Sequence, residues 1–137
     1  MKKMMTILLG TLLMSTTLLA DLWWADSFKE GLAQAKAEHK IAMVMFSSPT
    51  CGVCHYMKTE VFEDDRVFDY IQKHFVPIDV DVKAHPDKYG FEVYGFPTFY
   101  FLDGDGKWVA DPKIGGARPD AFLRRLEAVV AASKKSR

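Results

Sequence analysis

The apolar positions of this chain switch between a helical spacing and short unbroken runs, and each switch marks an element. Phe28, Leu32 and Ala35 recur at helical spacing behind Asp26 and Ser27, either of which suits the cap of a helix ending near His39. Ile41 to Phe46 is six apolar residues in a row, the length and look of a strand buried on both faces. Ser47, Ser48, Pro49 and Thr50 break that run. His55 to Phe62 then reads as helix, and Asp64 to His74 as a second helical stretch with Val67, Phe68 and Ile71 facing inward. Phe75 to Val82 reads as a second strand, Pro86 to Tyr94 as a short helix or turn, and Thr98 to Leu102 as a third strand. Asp103-Gly104-Asp105-Gly106 has the residues of a hairpin turn and lacks the remaining ligands of a calcium loop. It leads into a fourth strand, Lys107 to Ala110, antiparallel to the third. Pro119 opens a last helix with Phe122, Leu123, Leu126, Val129 and Val130 on one face and Lys134, Lys135 and Arg137 at its C-terminal end. Helices alternating with strands, closed by a hairpin and a helix, predict one α/β domain.

The first twenty residues follow a different rule. Lys2 and Lys3 precede a compact apolar run, Ile7 to Met14, and Ala20 stands before Asp21. This is the order of a secretory signal, and the run is too short to span a bilayer. Residues 1–20 are therefore expected to be a signal peptide and residues 21–137 a single domain. Leu18, larger than the small residue favoured before a cut, leaves a retained anchor as the alternative. An exported chain of this kind is expected in the periplasm. Trp23 and Trp24, just past the cut, are expected to dock on the domain, with a membrane surface as the alternative.

Composition narrows the classes further. The 137 residues are 49% hydrophobic and 26% charged, which suits one packed domain and excludes a disordered chain or a multi-span membrane protein. Lys+Arg and Asp+Glu are both 18, so no basic excess points to nucleic acid. Loss of Lys2 and Lys3 with the signal would leave a net charge of −2.

Only two cysteines occur, and they form Cys51-Gly52-Val53-Cys54 between the buried run and a helix. A cysteine at a helix N-terminus meets unpaired amide N–H groups and the positive end of the helix dipole, both of which favour thiolate. Cys51 is thus the expected attacking thiol. Cys54, one turn on and underneath, is the expected resolving thiol. Three other readings share these letters. Cys51-Gly52-Val53-Cys54-His55 is also the attachment pattern of c-type haem, with His55 as axial ligand, and would make the protein an electron carrier. Zinc would need two further ligands from His39, His55, His74 and His85, none at a paired spacing. A purely structural disulfide would close very little chain. Met43 and Met45 read as core fillers.

Ile41–Phe46, the dithiol, Gly95-Phe96-Pro97-Thr98 and Gly115-Gly116 occur in the order and spacing of the thioredoxin superfamily, which the chain resembles over residues 27–131. Cys54 through Glu60-Val61-Phe62-Glu63-Asp64, with Val67, looks more like the exported reductase domains of thiol–disulfide interchange proteins. The resemblance implies a thioredoxin-like α/β fold, a four-stranded mixed sheet flanked by helices, in the order 76–81, 41–46, 98–102, 107–110. It implies that Pro97 is cis beside the dithiol and that Phe96 and Pro97 present backbone groups to an extended substrate segment. It further implies a monomeric exported thiol–disulfide oxidoreductase acting on protein disulfides, with no cofactor or metal, reducing rather than oxidising, and supplied by a membrane-bound redox partner. An oxidase or isomerase of the same fold is the alternative. His55 would stand near Cys51, where its charge would help hold the thiolate, with a solvent-facing side chain of no role as the equal alternative. Two departures are visible: thioredoxin's buried aspartate six residues before the first cysteine is Met45 here, and its adjacent tryptophan is Thr50. Cys54 is thus left without an assigned proton acceptor.

Overall fold

The computed structural model describes residues 22–136, so the expected signal peptide lies outside the described residues. The apolar run becomes a fully buried central strand, β1 (Ile41–Ser47). Strand β2 (Phe75–Asp81) runs parallel to it on one side, and β3 (Thr98–Leu102) antiparallel on the other. Strand β4 (Trp108–Ile114) adds to β3, which gives the sheet order β2-β1-β3-β4 and a thioredoxin-like architecture.

Because side chains alternate across a strand, β1 feeds two cores. Ala42, Val44 and Phe46 pack on the face covered by helix α1 (Phe28–Glu38). Ser27 caps that helix by accepting from the Glu30 N–H, and His39 ends it in the left-handed conformation. A Cβ at Gly31 would run into the Ile78 side chain, so only glycine lets α1 lie this close to β2. Met43 and Met45 pack on the opposite face among α3 (Asp65–His74) and α4 (Pro119–Lys135), with Val67, Ile71, Phe122, Leu126 and Val129. The same core holds Cys54 and Phe62.

The outer edge of β2 is covered by the segment that enters the domain. Ala25 N–H donates to the Pro77 carbonyl at 2.9 Å, and Leu22 and Ala25 are buried. Pro77 has no N–H to offer a neighbour, which an edge strand tolerates. Trp24 docks against Phe62 with ring centroids 5.5 Å apart. Trp23 does not share this fate: it is half-exposed, so the expectation of docking holds for only one of the two tryptophans.

Two further elements differ from the pattern-based reading. The stretch expected as one helix over 55–62 is a short helix, α2 (Gly52–Tyr56), continued by one π-helical turn at Met57–Val61. The wider turn, closed by Phe62 N–H to the Met57 carbonyl, brings Met57, Val61 and Phe62 into the core together. Strand β4 runs four residues beyond Ala110, through Pro112 to Ile114. As a half-exposed edge strand with irregular register to β3, it carries no apolar alternation by which its end could be read. The hairpin between β3 and β4 is as expected, with Asp103 Oδ1 accepting from the N–H groups of Asp105 and Lys107.

Candidate active site

Strand β1 ends at Ser47, and after a three-residue break Cys51 is the N-cap of α2. Its Sγ accepts from the Cys54 N–H at 3.0 Å, so the sulfur occupies the position where a helix offers unpaired amides. Cys51 and Cys54 are joined as a disulfide, with Cα atoms 5.3 Å apart. Their surroundings differ: Cys51 is partly exposed, whereas Cys54 is 3% exposed within the apolar core.

Two loops close on this pair. In the first, the Phe96–Pro97 peptide bond is cis. Thr98 is in register with Phe46, which sets Pro97 across from the end of β1, the strand that leads into the dithiol turn. Thr98 Oγ1 donates to the Gly95 carbonyl at 2.7 Å and shapes the loop from within. Among the described residues the Phe96 N–H and C=O take no backbone partner, and its ring is half-exposed. In the second loop, Gly115 N–H donates to the Pro97 carbonyl at 2.7 Å. A Cβ at Gly116 would meet a Val53 methyl carbon at 2.6 Å, so this glycine lets the loop press on the dithiol helix. Ala117 N–H reaches the Met57 sulfur at 3.4 Å. Val53, Phe96 and Ile114 form an exposed apolar rim on the elements around the sulfurs, and Tyr94 extends the first loop outward.

Sequence reasoning passed over two groups that hold this geometry. Lys113 turns its ammonium onto the carbonyls of Gly115 and Gly116, at 2.6 and 3.0 Å. Burial, and after it the charge of Arg125, lowers its pKa. The second group is an ion pair between Lys58, on the π-helical turn, and Asp79 of β2, whose carboxylate also accepts from Ser47 Oγ at 2.7 Å. The Lys58 ammonium lies 5.8 Å from the centre of the Trp24 ring. Neither group has a local signal in the sequence, since each is assembled across strands and turns.

His55 is exposed on α2, with its N–H donating to the Cys51 carbonyl at 3.2 Å. The other histidines lie elsewhere: His39 at the end of α1, His74 at the end of α3 and His85 in the loop after β2, bonded to Tyr89. Among the described residues no three metal-binding side chains come together.

A central mixed sheet that ends in a helix-capping cysteine pair, with a cis-proline loop leading into the strand that faces it, is a thioredoxin-like architecture. The chain belongs to the thioredoxin-like family, whose domain description (Thioredoxin-like domain) matches residues 28–130. It is similar to the disulfide bond reductase DsbH of Chlamydia pneumoniae, at 30% identity over 104 residues that cover 66% of this chain and 62% of that protein. It is also similar to the thiol:disulfide interchange protein DsbD of Pseudoalteromonas atlantica, at 28% identity over 72% of this chain and 17% of that protein. The chain thus spans less than two thirds of the length of either relative. Among solved structures, a thioredoxin from Thermus thermophilus superposes with a TM-score of 0.72 at 29% identity, over 83% of this chain and 91% of that one.

Proposed function

We propose that residues 21–137 are an exported thiol–disulfide reductase, freed of a signal peptide at residues 1–20, that acts on protein disulfides in the periplasm. The observation that carries this reading is the asymmetry of the dithiol: Cys51 Sγ is at the helix N-terminus and partly exposed, and Cys54 is buried one turn below. In the reduced protein the amides and dipole lower the Cys51 pKa from its free value of ~8.5, which makes it the nucleophile. Burial disfavours the Cys54 thiolate, which keeps it in reserve as the resolving thiol. Phe96 and Pro97 receive the substrate. The unpartnered N–H and C=O of Phe96 suit an extended segment laid along the loop, and the rim of Val53, Phe96 and Ile114 suits an apolar one. His55, on the first turn, adds positive charge near Cys51 when protonated. The reductive direction is supported by similarity to a protein named as a disulfide bond reductase. In this reading a membrane-bound donor re-reduces the dithiol.

The test uses the full chain with either cysteine replaced. Cys54→Ala leaves a nucleophile that cannot be resolved, so trapped mixed disulfides accumulate on non-reducing gels of the exported fraction, on a chain whose mass begins at Asp21. Cys51→Ala abolishes both trapping and insulin-disulfide reduction. Equal trapping by the two variants, or trapped chains that still carry Met1 in the membrane, would overturn the reading.

A further inference from the structure

Cys54 poses a problem that the dithiol alone does not solve. Its thiol is buried among apolar side chains, so its proton needs an acceptor before the sulfur can attack. Met43 and Met45 of β1, which share its core, have no group that can take a proton. In sheet register, however, Met45 stands beside Asp79 of β2, which projects from the same face. Lys58, four residues after Cys54 on the same stripe of the helix, reaches down to that carboxylate. Ser47 holds the other carboxylate oxygen from β1, and the Trp24 ring covers the lysine from outside. Four segments thus converge on one half-buried carboxylate under the turn that follows Cys54.

We propose that Asp79, paired with Lys58 and oriented by Ser47, is the proton acceptor for Cys54. The inference rests on the dithiol reading above. In the mixed disulfide, a substrate sulfur is bonded to Cys51 Sγ. Asp79 takes the Cys54 proton, and Cys54 Sγ attacks Cys51 Sγ. The Cys51–Cys54 bond forms, the bond to substrate breaks, and the electron pair leaves on the substrate sulfur, which takes a proton from water. The substrate disulfide ends as two thiols and the protein dithiol as a disulfide. When the donor reduces the pair again, Asp79 returns its proton to Cys54.

Other charged groups near the helix are otherwise engaged. Asp81, next on the same face of β2, caps the turn at Lys83 N–H, and Lys113 is bonded to the second loop. His55 and Glu60 are exposed on the helix itself. Helices α3 and α4 contribute apolar side chains to the core around Cys54.

The experiment follows both sulfurs separately. Reduced full-length protein is mixed with the aromatic disulfide DTNB: the first thiol released reports attack by Cys51, the second attack by Cys54. Asp79→Asn keeps the shape and the Ser47 contact, and slows the second release roughly a hundredfold near neutral pH, the scale of a lost general base, without changing the first. Lys58→Met, which removes the cation that holds the carboxylate in place, also slows the second release without changing the first. Ser47→Ala slows the second release less than Asp79→Asn does. A lowered melting temperature with an unchanged pH profile of the second release would make the cluster a structural clamp and overturn the proposal. A wild-type protein that releases both thiols but leaves insulin intact would sink the proposed function alone.

Discussion

His74 shows how one side chain ties stability to pH. It ends α3 with its ring 4.5 Å from that of Tyr70, and burial, followed by the charges of Lys73, Lys134 and Lys40, lowers its pKa below the ordinary 6.5. Protonation is therefore harder in the folded protein than in the unfolded chain. The resulting stability is fully present above the ordinary value and is lost as pH falls through the lowered one. Urea midpoints measured at neutral and mildly acidic pH should drop for the wild type, with a smaller drop for His74→Gln. Equal acid losses would show that His74 is not the source. At this scale the sequence was legible where chemistry is local. Cys51 and Cys54 could be found because three residues separate them, and their place at a helix start follows from the buried run before them. Asp79 and Lys113 could not be found, because their partners are Lys58 and Ser47 in one case and the carbonyls of a loop in the other.

Among the elements, the π-helical turn concentrates the packing. It brings Phe62 against Trp24, Phe99 and Phe122, with ring centroids 5.5, 6.3 and 5.6 Å away, so one side chain joins the entering segment, β3 and α4. Phe62→Ala should cost about 3–5 kcal/mol, a large part of the ~5–15 kcal/mol that usually holds a domain, as read from chemical unfolding. A loss below about 1 kcal/mol would mean that the site collapses to fill the space. Helices α1, α3 and α4 and strands β1 to β3 were legible because each has one strongly apolar face or is apolar on both. The end of β4 and the π turn were not: the first is an edge with mixed side chains, and the second changes helical pitch without changing which residues are apolar.

For the whole molecule, the two edges of the sheet are managed in different ways. At β4 the exposed edge carries Pro112, which interrupts any ladder that a visiting strand would build. At β2 the guard is the entering segment itself, through Leu22, Ala25 and the bond to Pro77. A cut after Ala20 would leave that guard whole, with only Asp21 ahead of the first buried residue. A chain shortened to begin at Ser27 would lose it, and should form concentration-dependent dimers by light scattering where the chain from Asp21 does not. If the shortened chain scatters as a monomer, the segment is not needed as a guard. The segment that covers the edge also lays Trp24 over Lys58. The length at which the chain is trimmed therefore bears on two properties at once: whether copies stick to one another, and how the lysine beneath the redox turn is shielded from water. Under the proposed export, the cut that frees the chain would also set both properties.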